Sequence, residues 1–387
     1  MTRTLPHAAR VPACFAAVGA ALFAVGVAFD SQRAMFAYLT AYVFAASIAV
    51  GAVLFLAIGH TTGAGWMAVL RRRAEDIASI FPLLIVLFVP IGVGIRVLYP
   101  WAQPEGVWSD ELRAHIAPKI AYLNTGFFLL RSAVYLASWT VVAEVLRRIS
   151  REQDASSAPA LGERQASFAA ATLPWMAFTL TFAAFDWLMS LDPTWSSNVF
   201  GIYLFGGGFG AASGLLALLV FGPFASRVRV ATVEHAHALG RILLTFVIFW
   251  TYIAFTQYML IWIADLPDEI PWVKRRTEGP WSVVALGLAF GHFVLPFGAL
   301  LSRDIKRRPL VLSIIGAWLV LAHYVDVYWV VMPQVSGAIR PHWVDLGALL
   351  FIGGSATLVA VLRARGELEI AASDPAVLRG LKYEATL

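Results

Sequence analysis

Cysteine is almost missing from this chain. The single thiol, Cys14, excludes an intramolecular disulfide, a four-thiolate zinc or iron–sulfur site and a CxxC redox pair. Any thiolate-held redox centre must therefore belong to a partner. Charge is scarce too: Asp, Glu, Lys and Arg make up 14% of the 387 residues, where soluble domains carry about 25%. Hydrophobic residues reach 59% and the mean hydropathy is +0.73. That composition excludes a disordered, collagen-like or disulfide-stapled chain, and water is not its main solvent. The net charge of +5 is no nucleic-acid footprint, because the basic residues fall in short runs between apolar segments.

Long apolar runs take the place of charge. Crossing about 30 Å of hydrocarbon at about 1.5 Å per residue needs about 20 apolar residues, and a helix satisfies its own backbone there. Ten runs meet this requirement: 11–29, 35–59, 77–98, 119–146, 167–190, 198–221, 236–264, 281–301, 310–332 and 343–362. The expected fold is an all-α integral membrane protein. The first run follows Arg3 and Arg10 but precedes no small-x-small cleavage site, so it reads as an anchor and not a signal peptide. Val11-Pro12-Ala13-Cys14 is no lipidation box, since the apolar run follows the cysteine. Most of the Lys and Arg lie at the N-terminus, after the second, fourth, sixth and eighth runs, and in the tail. The positive-inside rule then places both termini in the cytoplasm. The polar segment 363–387 reads as a short cytoplasmic tail with no room for a further domain.

Two stretches repeat. Asp186-Trp187-Leu188-Met189-Ser190-Leu191-Asp192-Pro193 closes the fifth run and Asp326-Val327-Tyr328-Trp329-Val330-Val331-Met332-Pro333 closes the ninth. Tyr42-Val43-Phe44 and Tyr203-Leu204-Phe205 open the second and sixth. An offset of four helices preserves orientation, so the expectation is a single transmembrane domain, 1–362, with parallel four-helix units at 35–190 and 198–332. The first and tenth helices flank them.

Ionisable groups in such spans cost at least about 2.5 kcal/mol each on insertion scales and need partners. Each unit has a base on its third helix and an acid on its fourth: Arg131 with Asp186, and His292 with Asp326. One reading is a structural ion pair in each unit. The other is a proton path, entering near Glu144, passing Arg131, Tyr135 and Tyr252 to His292 or His323, and leaving by Asp326 and Asp186. Asn124 is expected inside the fourth helix. His292 and His323, on neighbouring helices, could hold one haem iron, but a transmembrane b-type electron chain wants two such pairs. Gly206, Gly207, Gly208, Gly210 and Gly214 lie mid-helix, where they suit close packing and not a phosphate cradle.

The run from Phe185 to Ser197 resembles the fifth-helix signature of the F subunit of alternative complex III, a bacterial quinol:cytochrome c oxidoreductase of the polysulfide-reductase-type membrane family. Phe249-Trp250-Thr251-Tyr252 through Gln257-Tyr258 with Ile261-Trp262, His292-Phe293-Val294-Leu295-Pro296-Phe297, and His323 with Asp326 to Pro333 resemble its seventh, eighth and ninth helices. Lys119, Tyr122-Leu123-Asn124, Phe127-Phe128, Arg131, and Trp66 with Arg71-Arg72 and Glu75 are similar as well. Thr194, Asn198 and the tail from Tyr383 depart from the pattern, which puts the docking surface in doubt.

The resemblance implies paired four-helix bundles in the bacterial cytoplasmic membrane, no cofactor in this chain, and no catalysis by it alone. It implies menaquinol or ubiquinol as substrate of the whole complex. Partners would be a paralogous quinone-binding membrane subunit, a periplasmic iron–sulfur and molybdopterin-like subunit, and c-type haem subunits, within a lipid bilayer and with no nucleic acid. Gln257, Tyr258, Trp187, Trp195 and Tyr328 are candidate quinol or partner contacts. Two alternatives stay open: a quinol pocket in this chain, with His292 or Asp326 as proton acceptor, and a stand-alone proton-coupled transporter.

Overall fold

The computed structural model describes residues 7–223, 225, 230–370 and 373–384. Arg3, Arg227 and Arg229, which enter the orientation reading, and the last three tail residues, 385–387, lie outside the described residues. Among the described residues all regular structure is helical. Ten helices are long and apolar enough to span a membrane: α1 (His7–Phe29), α2 (Ser31–Thr62), α3 (Gly65–Val93), α4 (Thr125–Ala155), α5 (Pro159–Leu191), α6 (Phe200–Phe221), α7 (Val233–Ala264), α8 (Trp281–Leu301), α9 (Pro309–Gln334) and α10 (Trp343–Arg363).

Neighbours in sequence are neighbours in space. Helix α2 packs on α3, α3 on α4, α4 on α5, and α5 returns to α2. The same circuit closes α6, α7, α8 and α9. Helices α1 and α10 lie along each other and against α2. Helix α2 is therefore enclosed on every side, and its residues are buried almost without a break from Arg33 to Ala57.

The seam between the rings is where α2 crosses α6, with no room for side chains. A Cβ on Gly51 would lie 2.6 Å from the Gly208 carbonyl oxygen, and one on Gly208 would lie 2.8 Å from that of Ser47. Inside the second ring, a Cβ on Gly214 would lie 2.6 Å from the Gly316 carbonyl oxygen. The glycines thus let backbones touch, as small residues do in membrane interfaces.

Helices α3, α4 and α5 depart most from the apolar pattern, α5 by beginning at Pro159 and not at 167. Helix α3 begins at Gly65, well before residue 77, because the charged run expected to be a connection is buried helix. Arg71 donates to Asp374 (2.6 Å) and Gln153 (3.1 Å), while Arg72 donates to Glu75 (3.1 Å) and pairs with Asp154. Helix α4 runs on to Ala155 to supply those partners, and starts only at Thr125. Asn124 is therefore not inside it; its side chain caps the helix by accepting from the Phe127 N–H (2.9 Å). The tail is docked. Its short helix Pro375–Leu381 packs on α3, and Tyr383 accepts a hydrogen bond from Arg241 on α7 (2.9 Å).

Replacing Gly316 by Val is expected to lower stability by about 1–3 kcal/mol, since the added methyls meet the α6 backbone. Gly298→Ala, at a position with open space around it, is the matched control. Thermal unfolding in detergent reads both.

Candidate functional site

Each ring buries an aspartate on its fourth helix, and the two are met by different chemistry. In the first ring Asp186, on α5, has no exposed surface. Arg131 on α4 grips it with two bonds, Nε to Oδ2 at 2.9 Å and Nη2 to Oδ1 at 2.7 Å. Tyr135, one turn further along α4, donates to Oδ2 at 2.8 Å. Its Nη1 donates to the Tyr122 carbonyl (3.0 Å), and the guanidinium lies over the Tyr122 and Phe127 rings, 3.8 and 4.1 Å from their centroids. Planar bidentate pairing with a stacked face is what arginine does best.

In the second ring Asp326, on α9, takes Tyr203 of α6 at one oxygen and the Trp250 Nε1–H of α7 at the other, at 3.2 Å. His323, one turn back on α9, has Nδ1 3.8 Å from Oδ2 and Nε2 2.8 Å from the Ser47 hydroxyl of α2. That Nδ1 is buried and makes no hydrogen bond. Gly207 on α6 leaves room for this ring: a Cβ there would lie 2.7 Å from His323 Nδ1 and 3.5 Å from Asp326 Oδ2. His292 does not pair with Asp326 as expected. It stacks on Trp250, with ring centroids 4.0 Å apart, and its Nδ1 is also buried without a partner. A π-helical turn over Ala289–Val294 carries it. Pro296 has no N–H to give the preceding turn, and Trp318 donates to the Gly291 carbonyl at 2.6 Å.

A cleft of about 600 Å³ opens between α7 and α8, lined among others by Tyr203, Trp250, Thr251, Gln257, Tyr258 and Phe293. It therefore reaches both donors that hold Asp326. Gln257 accepts from Ser197 at 3.3 Å at its edge. Beside the last turn of α9, Arg276 is buried from solvent, donates to the Val330 (2.6 Å) and Trp272 (3.0 Å) carbonyls, and lies 3.9 Å over the Trp272 ring. Burial, with Arg275 beside it, lowers its pKa from the usual arginine value. Burial also lowers that of Lys119, which donates to the Pro193 carbonyl at 2.7 Å.

The remaining expected residues are placed as follows. Tyr252 makes no hydrogen bond to either carboxylate; it is 64% exposed on α7 and lines the cleft. Glu144 is no free carboxylate, because Arg363 binds both its oxygens at 2.5 and 2.7 Å. Trp187 donates to Ser132 (3.0 Å), Trp195 stacks on Trp272 at 4.0 Å, and Tyr328 is bonded to Arg33 (3.0 Å). These three tie helices and loops together, whereas Gln257 and Tyr258 line the cleft. Tyr203 and Trp250 were missed as site residues. The available signal was that a Tyr or Trp inside an apolar span needs an acceptor for its O–H or N–H.

Fold and buried polar groups together define an all-α, multi-pass integral membrane protein with one carboxylate-centred cluster in each four-helix ring. No protein-family model matches the chain, and no curated protein does.

Removing one partner of a buried ion pair strands the other. Arg131→Met is expected to destabilise by about 3–5 kcal/mol, and Arg131→Met with Asp186→Leu by far less. Thermal melts of the single and double variants check this; equal losses would overturn the pairing argument. Gly207→Ala is expected to cost about 1–3 kcal/mol by displacing His323, seen in the same melts.

Proposed function

We propose that this chain is a membrane subunit of a quinol-oxidising electron-transfer complex of the alternative complex III kind, handling protons and holding the assembly together. The observation that carries the reading is the fully buried Asp326, hydrogen-bonded by Tyr203 and Trp250 beside a histidine with an unspent nitrogen. Such a group inside membrane-spanning helices is a functional site by default, because insertion penalises it and packing does not need it. The ordered motifs of the resemblance supply the name of the complex. In this reading the end rich in Arg71, Arg147 and Arg363 faces the bacterial cytoplasm. Electrons travel through iron–sulfur clusters and haem c of partner subunits, and a paralogous membrane subunit takes the quinol.

One observation favours a second reading. The cleft between α7 and α8 reaches Tyr203 and Trp250 from the lipid side, has mostly apolar walls and offers the Gln257 amide. A quinol head group would fit that chemistry, with Asp326 behind it as proton acceptor.

Mild detergent extraction from the native membrane tests both. Co-purification of haem and iron–sulfur partners with quinol oxidation is expected, and Asp326→Asn should lower the protons moved per quinol oxidised in vesicles. A chain that emerges alone and joins no quinol-oxidising assembly overturns the complex reading. Gln257→Leu separates the two readings: a severalfold rise in KM for quinol places the quinol in this cleft, and an unchanged KM removes it.

A further inference from the structure

The two carboxylates look equivalent in sequence, each seven residues before a proline, yet their surroundings differ in one decisive respect. Asp186 has a cation of its own in bidentate contact. A carboxylate so paired, with a third bond from Tyr135, has every reason to stay ionised, because protonating it would strand the buried Arg131. Asp326 has no such cation. Among the described residues its one basic neighbour within ion-pair distance is His323, and that contact is an ion pair only when the imidazole is protonated.

The groups around Asp326 are few. Helix α6 offers Tyr203, α7 offers Trp250, and α9 offers His323. Helix α2 offers the Ser47 hydroxyl, which is already on His323 Nε2, and α8 offers His292, stacked on Trp250. The arginine beyond, Arg276, is committed to two carbonyls and a tryptophan face. With the histidines neutral and Asp326 ionised, the cluster therefore has a net charge of −1 in a dry interior, held by neutral donors alone. A buried charge without a counter-charge is what such an environment penalises most. One added proton on the carboxyl brings the cluster to zero, and the carboxyl takes it without breaking the hydrogen bond at His323 Nε2.

We propose that Asp326, with His323, is a proton-binding site, and that Asp186 is the structural counter-ion of Arg131. The two rings have thus parted roles: the first is locked by its ion pair, and the second takes up and gives back one proton. Their difference also explains the tyrosines. Tyr203 donates to Asp326, whereas Tyr42, at the matching place in α2, donates to the Leu84 carbonyl (3.1 Å), because Arg131 and Tyr135 already occupy the first carboxylate.

This inference rests on the reading of Asp326 as a proton-handling group, but not on the complex or its substrate. The test therefore uses infrared difference spectra between acid and alkaline pH, recorded on the full chain in whatever assembly leaves the membrane. The expected result is a carboxylic-acid C=O component in wild type, set apart in frequency from the exposed carboxyls by its buried surroundings, that is lost in Asp326→Asn. The band should keep its amplitude in Arg131→Met with Asp186→Leu, which removes the first carboxylate without stranding its partner. Should Asp326→Asn not fold, Tyr203→Phe keeps the carboxyl, removes one donor and should shift the band. A wild-type spectrum with no such band overturns the proposal. So does a band that survives Asp326→Asn, is untouched by Tyr203→Phe, or vanishes with Asp186. Failure of partners to co-purify would sink the complex reading while leaving this result intact.

Discussion

A polar group carried into hydrocarbon has to find its counterpart inside the protein, and much of this structure answers that constraint. Arg131 meets Asp186, Arg33 meets Asp345 at 2.5 Å, and Arg71 and Arg72 share Glu75 and reach Asp374 and Asp154. Apart from the two contacts to Glu75, which lie within α3, each pair joins different helices, or a helix to the tail, so the same bonds that neutralise charge also fix which elements lie together. Apolar contact alone would not do this, since lipid tails are as apolar as the helices. Specific polar pairs and close backbone crossings supply the preference for protein over lipid.

The close crossings set the second level. Because α2 meets α6 through Gly51 and Gly208, the Ser47 hydroxyl comes within reach of His323 on α9. The second ring's polar cluster therefore has one foot in the first ring. A histidine bonded across the seam and a carboxylate held by neutral donors make the second ring the place where chemistry and helix packing meet. In the first ring, by contrast, Asp186 is held by an arginine and a tyrosine.

The lipid-side cleft between α7 and α8 adds a route towards that cluster. Its walls come from residues with opposite tendencies: Tyr252 and Phe255 are exposed on α7, while Trp250 and Gln257 are buried. The π-helical turn at Ala289–Val294 lets α8 present His292 to the interior despite Pro296 nearby. The π-helical turn and a buried imidazole whose Nδ1 has no partner coincide there.

The amino-acid sequence by itself determined the all-α membrane class, the ten spans and the Arg131–Asp186 partnership. The first two follow from run length against bilayer thickness, and the third from two opposite charges on adjacent antiparallel helices. It did not determine the start of α3, because whether Arg71, Arg72 and Glu75 end a helix or continue it depends on partners about 80 and 300 residues away. Nor did it determine that His292 lies on Trp250 while Tyr203 takes Asp326. Those choices turn on how far each helix is rotated about its axis, and a π-turn, a glycine gap at Gly207 and the crossing of α2 with α6 set that rotation. Only the tertiary structure decides such angles, since every rotation leaves the apolar count of a span unchanged.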